Sequence, residues 1–303
     1  MPPAWDEAFK AFAQIPNLKA ARDVPLASCT RFGLGGPARI LADAYSPESL
    51  AAARRIAAAA GAPHTVIGAG ANLVVSDKGY HGIVLRYPSA SIQIKGERVA
   101  VDAGAELDRL VDLTVARGLG GLESLTGIPG WVGGAVYGNA GAYGHSISER
   151  VVAVHFLEDG QVRSFPAEQC EFRYRDSIFK RRKDWIILST DLLLETSDAD
   201  LLRRTSEEIR QVRDRKFPPT MRCAGSIFKN LLIEELPVTV ARQTPESIVR
   251  EGKAPAAWFL DQVGARGASR GGIRVADHHA NLIFNAGGGT AAELRDLIED
   301  LRR

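Results

Sequence analysis

The chain has 303 residues, of which 45% are apolar and 24% charged, as in an ordinary globular protein of two or three domains. Its net charge of +2 is small for this length and gives no support to nucleic-acid binding, which requires a strongly basic face. No apolar run approaches the roughly 20 residues that span a bilayer, and the acidic residues Asp6 and Glu7 are unlike a signal peptide. We therefore expect no nucleic-acid partner and no membrane partner.

Helix and strand patterns alternate through the first part of the chain. Residues 47–61 predict a helix with Ser46 as N-cap and Gly61 as its end. Residues 64–77 predict a strand, a glycine loop and a second strand over "LVVSD", and residues 82–87 predict another strand. A hairpin turning near Gly96 and a helix ending at Gly118 follow.

The second part of the chain continues the same mixture. Residues 151–165 predict a hairpin with Asp159-Gly160 as its turn, and residues 185–195 a buried strand. A long helix precedes Pro218, and the last segments predict a helix near "AAWFLDQVG", strands at "GIRVAD" and "ANLIFN", and a final helix. Elements in this order are typical of an α+β protein, and the long helix near residues 200–217 is the natural place for a domain boundary.

A first glycine cluster, "GAGAN" at residues 68–72, matches Gly-x-Gly only. The dinucleotide fingerprint needs a third glycine and a following helix, and no Gly-Lys-Ser/Thr of a Walker loop occurs. Two alternatives remain for this cluster. It is either a plain tight turn or a run of main-chain N–H groups that holds an anion.

A second cluster, "GIPGWVGGAVYGNAGAYG" at residues 127–144, contains seven glycines and no Lys or Arg. A flexible linker would carry serine and charge, whereas this segment carries Ile128, Trp131, Val132 and Tyr137. Apolar residues among glycines indicate a packed segment whose main chain lies close to a ligand. Two such clusters together suggest a ligand with a pyrophosphate, such as a dinucleotide cofactor.

The cysteines and histidines do not predict a metal site. Cys29, Cys170 and Cys223 are scattered and odd in number, which fits a reducing cytoplasm without a disulfide framework. Neither CxxC nor HExxH occurs. The run Asp277-His278-His279 offers metal-binding side chains, but adjacent side chains rarely chelate one ion together. We expect no metal and a cytoplasmic location.

The sequence resembles the UDP-N-acetylenolpyruvoylglucosamine reductase family. Six stretches match in the family's order: "TRFGLGGPARIL", "VIGAGANLVVSDKGYHGIVLR", "LESLTGIPGWVGGAVYGNAGAYG", "FRYRDSIFK", "CAGSIFKN" and "ADHHANLIFNAGGGTAAELRDLI". The short spacing between "FRYRDS" and "AGS" is similar to the family's second type, which lacks a substrate-covering insertion. The resemblance implies an α+β chain with the two-lobed FAD-binding fold of vanillyl-alcohol oxidase, followed by an α/β substrate-binding domain.

The resemblance also implies domains and a cofactor. We expect an N-terminal helical segment at 1–27, FAD-binding lobes at 28–88 and 89–199, and the substrate-binding domain at 200–303. FAD would be bound non-covalently, with NADPH as co-substrate, in the synthesis of a peptidoglycan precursor. The expected cofactor contacts are Gly68, Gly70, Asn72, Gly127, Gly133, Gly134 and Asn139.

The family's reaction reduces an enolpyruvyl ether to a lactyl ether, so negative charge develops beside the substrate's carboxylate. Such a reaction needs a fixed cation and a proton donor. Arg175 of "FRYRDS" matches the family's cation, with its planar fork suited to a carboxylate, and Ser226 of "AGSIFKN" matches the proton donor. By the same resemblance, Tyr174, Lys216 and Asn230 would contact substrate.

The sequence departs from the family in two places. Leu231 replaces the usual proline after Asn230 and begins a divergent run over 231–253. Family members also continue to a segment with a catalytic glutamate that has no counterpart up to Arg303, so we expect the substrate half-reaction to be impaired. Glu234 and Glu235 are the first candidates to replace it. The alternatives are another FAD-dependent oxidoreductase of the same fold, or a catalytically impaired homologue that binds a flavin or a nucleotide sugar.

Overall fold

The computed structural model describes residues 4–303, so the first three residues of the helical segment predicted at 1–27 lie outside the described part. The described chain forms two compact units. The first comprises the residues up to Pro25, Pro37–Ala71 and Tyr80–Asp214, and the second comprises Leu26–Gly36, Asn72–Gly79 and Arg215–Arg303. These units interleave along the sequence, and the division into four segments expected from the sequence stays a prediction.

The first unit contains most of the regular elements. Its helices are α1 (Trp5–Phe12), α2 (Pro47–Ala59), α3 (Leu107–Val115), α4 (Val132–Tyr137), α5 (Ile178–Arg181) and α6 (Ala199–Lys216), within which the chain passes into the second unit. Its strands are β1 (Leu18–Pro25), β2 (Pro37–Ala44), β3 (His64–Val66), β4 (Tyr80–Arg86), β5 (Ile92–Lys95), β6 (Arg98–Asp102), β7 (Leu119–Gly120), β8 (Gly141–Ala142), β9 (His145–Ser146), β10 (Val151–Glu158), β11 (Gln161–Pro166), β12 (Ile186–Leu193) and β13 (Glu195–Thr196). Short 3₁₀ turns occur at Glu123–Leu125, Ile147–Glu149 and Ala167–Cys170.

Two larger sheets organise the first unit. One has the order β1-β2-β4-β3, in which β2, β4 and β3 are parallel and β1 is an antiparallel edge. The other is antiparallel, with the order β11-β10-β12-β6-β5. The loop from β3 to its neighbour β4 carries the first glycine cluster, so this cluster lies at the end of a parallel strand. Two-stranded pairs β7–β13 and β8–β9 complete the strands of this unit.

Local sequence signals explain several of these elements. Ser46 caps α2 as predicted, because its hydroxyl accepts from the amide of Ser49 while the Ser49 hydroxyl accepts from the amide of Ser46. The Asp159-Gly160 turn of the β10–β11 hairpin is confirmed, with φ of 47° and 79° at its two central residues. Positive φ at both positions matches the right-handed twist of the flanking strands.

Two predicted elements are wrong. The segment predicted as helical over 1–27 contains the strand β1, in which Leu18 and Ala20 are partly buried and Lys19 between them is exposed, the two-residue period of a strand. Residues 73–77, predicted as a strand, form none. They run instead beside a glycine-rich segment of the second unit, where the amide of Gly36 donates to the carbonyl of Ser76 at 2.9 Å.

The core of the first unit is continuous and includes an aromatic cluster near its second sheet. Phe156 of β10 stacks on Trp185, with ring centroids 4.6 Å apart, and meets the edge of Phe179 of α5 at 5.4 Å. Phe156 and Phe179 are fully buried. Because α5 follows the "FRYRDS" motif directly, this packing anchors that motif to the sheet.

The second unit is a smaller antiparallel sheet with helices. Its strands are β14 (Arg222–Ser226), β15 (Leu231–Leu232), β16 (Lys253–Ala254), β17 (Ser269–Arg270), β18 (Ile273–Ala276) and β19 (His279–Asn285). Its helices are α7 (Val238–Gln243), α8 (Ala256–Gln262) and α9 (Ala291–Arg302), with 3₁₀ turns at Leu26–Cys29, Ile233–Glu235 and Glu246–Ile248. The sheet order is β14-β19-β18-β17, and the divergent run 231–253 forms β15, which pairs with β16, and the short helix α7.

Two segments from early in the sequence complete the second unit. Phe32 is fully buried in a core with Ile273 and Leu294. A Cβ on Gly36 would overlap the carbonyl oxygen of Asp77, so the approach of these two segments requires glycine there. The tertiary fold therefore joins parts of the first eighty residues to the C-terminal third.

Asp77 also caps α9. Its two carboxylate oxygens accept from the amides of Ala291 and Ala292 at 2.8 and 2.9 Å. Thr290 and Glu293 satisfy the other two first-turn amides as a capping box, which the sequence analysis did not predict. A carboxylate at a helix N-terminus also interacts favourably with the helix dipole.

We expect Asp77→Ala to lower the free energy of unfolding by about 1 kcal/mol, the usual effect of removing a helix cap. Urea unfolding followed by circular dichroism measures this change. Asp296→Ala is the matched control. Asp296 lies on α9, the helix that Asp77 caps, and pairs at 3.3 Å with its exposed neighbour Arg295. The control should change stability by less than about 0.5 kcal/mol. Equal effects of the two substitutions would contradict the role of Asp77.

Candidate functional site

Within the first unit, residues 68–71 of the first glycine cluster lie against the second glycine cluster. A Cβ on Gly68 would be 3.9 Å from the Trp131 ring, and one on Gly130 would be 3.1 Å from the Cβ of Ala71. The first glycines of the two clusters, Gly68 and Gly127, are 59 positions apart in the sequence. Only the fold brings the clusters together. One ligand can therefore contact both segments.

The first cluster has unused hydrogen-bond donors. In the part of the chain that the structure describes, no protein acceptor is present for the main-chain amides of residues 68–72. Gly70 has a φ of +66°, a conformation that glycine adopts without strain. A row of free amides in such a loop binds anions, and phosphate oxygens are suitable partners. This geometry fits the pyrophosphate of a dinucleotide cofactor.

The glycines of the second cluster serve different purposes. The amide of Gly127 donates to the Asp108 carboxylate at 2.7 Å. Gly133 packs on the main chain, since its amide donates to the carbonyl of Ala103 at 2.8 Å and a Cβ would be 2.7 Å from the Cβ of Ala103. Gly134 is exposed, and a Cβ there would meet nothing within 4 Å. Open space at Gly134 fits close approach of a ligand to the helix α4.

Arg175 lies on a tight turn whose ends, Arg173 and Asp176, exchange two main-chain hydrogen bonds of 3.1 Å. Its φ is +56°, and its carbonyl accepts from the Lys180 ammonium at 2.5 Å. Its guanidinium donates to the carbonyl of Gly141 at 2.6 Å. Main-chain carbonyls thus hold this cation without neutralising it, which leaves its positive charge for an anionic ligand.

The residues next to Arg175 in sequence also make specific contacts. The Tyr174 ring centroid is 5.4 Å from the Arg175 guanidinium carbon. Asp176 pairs with Arg181 at 2.9 Å, so the acid next to Arg175 in sequence has another partner. Ser177 is fully buried and donates to the carbonyl of Tyr137 at 2.7 Å. The motif "FRYRDS" is therefore joined to the second glycine cluster by several side chains.

Ser226 ends the strand β14 of the second unit and is exposed. Gly225 beside it has a φ of +71°, and the pairing of β14 with β19 shifts register between Cys223 and Ser226. The irregularity lies before the serine, and Ser226 itself still pairs with Leu282 of β19. Ser226 is exposed on the surface of the unit, where a ligand can reach it.

A buried side chain holds the chain just after Ser226. The Asn281 side chain accepts from the amide of Phe228 and donates to its carbonyl, both at 2.8 Å. The Asn281 carbonyl accepts from the amide of Ile227 at 3.2 Å. The sequence analysis missed Asn281, although an asparagine within the apolar run "ANLIFN" was the available signal.

The remaining predicted contacts, Lys216 and Asn230, also lie in the second unit. Lys216 ends α6, with its ammonium 5.1 Å from the Phe217 ring centroid, and its carbonyl lies 3.0 Å from a ring nitrogen of His278. Asn230 is exposed, and its side-chain oxygen accepts from the amide of Ala256 at 3.3 Å. The structure thus groups Tyr174 and Arg175 in one unit and Ser226, Lys216 and Asn230 in the other.

The pKa of His279 differs strongly from that of an ordinary histidine. Burial is the main cause that lowers its pKa to about 4, and the neighbouring Lys216 acts in the same direction. One of its ring nitrogens, Nδ1, accepts from the amide of Asn281 at 3.2 Å, which is consistent with a neutral ring. His279 is therefore uncharged at neutral pH.

No metal-binding group of three or more His, Cys, Asp or Glu occurs within residues 4–303. In the run Asp277-His278-His279, both rings make main-chain contacts within the second unit. Among the described helices, none combines the length and apolar character needed to cross a membrane.

We expect the stability of the protein to fall as the pH drops from 6.5 towards 4, and His279 to cause part of this loss. The unfolded chain binds a proton at the ordinary histidine pKa of 6.5, whereas folded His279 binds one only near 4. His279→Gln should therefore make the free energy of unfolding less dependent on pH within this window. Urea unfolding of both proteins at several pH values measures the slopes, and equal slopes would contradict the role of His279.

Two family models match the chain. One, described as an FAD binding domain, matches residues 38–165, and the other, described as the C-terminal domain of UDP-N-acetylenolpyruvoylglucosamine reductase, matches residues 217–303. UDP-N-acetylenolpyruvoylglucosamine reductase of Solibacter usitatus is 57% identical over 96% of this chain and 93% of its own length. The protein of the same name from Bacillus subtilis is 33% identical, over 94% of this chain and 88% of its own length.

A solved structure agrees with these matches. The crystal structure of UDP-N-acetylenolpyruvylglucosamine reductase from Thermus caldophilus has a TM-score of 0.77 and 30% sequence identity, covering 94% of this chain and 95% of that one. The predicted fold class is thereby confirmed: an α+β chain with the FAD-binding fold of the vanillyl-alcohol oxidase type and a following C-terminal domain.

Proposed function

The chain belongs to the UDP-N-acetylenolpyruvoylglucosamine reductase family, and from this premise we propose that it makes UDP-N-acetylmuramate for peptidoglycan synthesis. The enolpyruvyl ether of the substrate gains a hydride at its terminal alkene carbon and a proton at the carbon that bears the carboxylate. NADPH supplies the two electrons and leaves as NADP⁺. The observation that carries this proposal is the charged Arg175 fixed by main-chain carbonyls beside a glycine-rich segment with open space at Gly134.

FAD is the cofactor of this reaction. When bound, it would supply the hydride-transfer chemistry between NADPH and the substrate. The free amides of residues 68–72, which include Gly68, Gly70 and Asn72, would hold its pyrophosphate. Gly134 offers space for its adenosine-diphosphate arm and ring, and the neighbours Gly127, Gly133 and Asn139 would shape that surface. We propose non-covalent binding, because residues 127–144 contain no His or Cys.

Arg175 would bind the carboxylate of the substrate. Its permanently charged, planar guanidinium matches a carboxylate with two parallel hydrogen bonds. Because Arg175 is held by carbonyls, it does not have to leave an acidic partner to bind substrate. The same cation stabilises the negative charge that develops next to that carboxylate during hydride transfer.

Ser226 would donate the proton to the carbon that becomes negatively charged. Its exposed position after Gly225 is compatible with close approach of substrate. A serine hydroxyl is a weak acid, but an enolate-like carbon is a strong enough base to take its proton. Tyr174 and Asn230 would contact the sugar and enolpyruvyl parts of the substrate, and Lys216 would contact its diphosphate.

We also infer a cytoplasmic location and no nucleic-acid partner. The buried residues Cys170 and Cys223 are free thiols, and burial raises the pKa of Cys170 to about 12, so this thiol stays protonated. The net charge of +2 offers little attraction to a polyanion. The domain boundaries proposed for this function are the lobes 28–88 and 89–199 and the substrate domain from residue 200.

The first test is spectroscopic. We expect the purified protein to be yellow, to lose its visible flavin absorbance when NADPH is added without air, and to regain it when the enolpyruvyl substrate follows. Acid denaturation should release the flavin into solution. A colourless protein that cannot be reconstituted with FAD would contradict the proposal. Bleaching by NADPH without recovery on adding substrate would favour another FAD-dependent oxidoreductase or an impaired homologue.

The second test separates the two half-reactions. Ser226→Ala should leave flavin reduction by NADPH nearly unchanged, because that step needs no proton from Ser226. Reoxidation by the enolpyruvyl substrate should be slowed by about 10²-fold or more, the usual scale of general-acid catalysis. Stopped-flow absorbance measures both rates. Equal slowing of both steps would mean that Ser226 is structural.

Arg175→Lys should also slow reoxidation selectively, since an ammonium cannot make the paired hydrogen bonds of a guanidinium. Thr190→Val is a control in the same unit, because Thr190 is fully buried in the sheet and donates to Ala153 at 2.8 Å. The control should leave both half-reactions unchanged.

A further inference from the structure

Asn139 belongs to the second glycine cluster and is almost completely buried, with 6% of its surface exposed. Its side-chain amide donates to the carbonyl of Arg173 at 3.0 Å. Its side-chain oxygen accepts from the amide of Ser148 at 3.3 Å. The donor and the acceptor of the Asn139 side chain therefore both form hydrogen bonds inside the protein, with main-chain groups of two different segments.

The same residue also contacts Arg175. The main-chain carbonyl of Asn139 accepts from the Arg175 guanidinium at 3.4 Å, beside the 2.6 Å bond to Gly141. Asn139 therefore reaches the turn twice, at Arg173 through its side chain and at Arg175 through its main chain.

The turn needs such support because Arg175 has a φ of +56°. A left-handed conformation is unfavourable for a residue with a Cβ and persists where surrounding contacts enforce it. Asn139 itself has a φ of +42°, which asparagine tolerates better than most residues. An aspartate of the same shape would place a second oxygen against the carbonyl of Arg173. Asparagine therefore meets both the conformational and the donor requirements of this position.

We propose that Asn139 is a positioning residue that acts on the reaction through Arg175. Its amide fixes the Arg173–Asp176 turn, and the fixed turn holds the guanidinium where the substrate carboxylate binds. This role rests on the proposed function, in which Arg175 is the cation for that carboxylate. It differs from the cofactor contact expected from the sequence, because the side-chain amide is directed to the turn.

Asn139→Gly is the test variant. Glycine keeps the left-handed conformation and the main-chain acceptor for Arg175, so the substitution removes the side-chain donor to Arg173 together with the side-chain acceptor for Ser148. Thr190→Val is the matched control, because it also removes a buried side-chain donor from a main-chain carbonyl in the same unit. Each variant removes one side-chain donor from a main-chain carbonyl, that of Arg173 or that of Ala153, and the Arg173 carbonyl keeps its bond from the Asp176 amide.

The first measurement needs no turnover. Amide hydrogen exchange of Arg173 and Asp176 reports the two hydrogen bonds that close the turn. We expect exchange of these amides to be about 10-fold faster in Asn139→Gly and unchanged in the control, since loss of a local contact lowers the local opening energy. Unchanged protection in Asn139→Gly would overturn the proposal. Loss of bound flavin with unchanged exchange would also overturn it, since the side chain would then act on the cofactor.

The second measurement is a double-mutant cycle with Arg175→Lys. Asn139→Gly alone should slow reoxidation by the enolpyruvyl substrate about 10-fold and change flavin reduction by NADPH less than about twofold. In the Arg175→Lys background the same substitution should slow reoxidation less than about twofold, because residues that act through one another are not additive. A full 10-fold effect in that background, or equal slowing of both half-reactions, would refute a role through Arg175.

The outcomes separate this inference from the proposed function. If the unmodified protein does not turn over the enolpyruvyl substrate, the proposed function fails, and hydrogen exchange still decides whether Asn139 fixes the turn. If Asn139→Gly does not fold, Asn139→Asp replaces it. Aspartate keeps the size and the acceptor for Ser148 but lacks the donor to Arg173, and the same pattern of exchange and rates is expected. Normal turn protection in that variant would reject the proposal.

Discussion

Main-chain carbonyls between Tyr137 and Gly141 are the contacts on which the candidate site of the first unit depends. The Tyr137 carbonyl accepts from the Ser177 hydroxyl at 2.7 Å. Two further carbonyls in this stretch accept from the Arg175 guanidinium, at 2.6 and 3.4 Å. A carbonyl has no rotatable side chain, so it fixes its donor more strictly than a flexible carboxylate would. It also carries no charge, so Arg175 keeps its attraction for an anion. The aromatic packing of Phe179 holds the other end of the same motif to the sheet.

The second unit relies on buried polar side chains in a similar way. Asn281 joins β19 to the chain after Ser226, and Asn285 accepts from two glycine amides and donates to the carbonyl of Phe32. Asp77 caps the last helix. Asn281 and Asn285 are buried and would destabilise the fold without partners, so each fixes a loop to one neighbour and excludes alternatives.

Glycine has at least three separate uses in this protein, and the sequence alone does not distinguish them. Gly133 permits tight packing on Ala103, Gly36 permits approach to Asp77, and Gly134 faces open space. All three occur in glycine-rich stretches of similar composition. Only the neighbouring atoms decide whether a missing Cβ serves the fold or a ligand.

The sequence by itself determined the helices with clear caps, the Asp159-Gly160 hairpin and the α+β class, because these depend on neighbours within a few residues. Its matched motifs also determined the family. It did not determine that residues 73–77 lack a strand, that Asn139 supports the Arg175 turn, or that Asn281 holds the chain beyond Ser226. These features depend on hydrogen-bond partners that are distant in sequence, 34 positions for Asn139, 53 for Asn281, and the early segment of Gly36 for residues 73–77. A local pattern cannot specify such a partner, and only the tertiary structure brings it within hydrogen-bond distance.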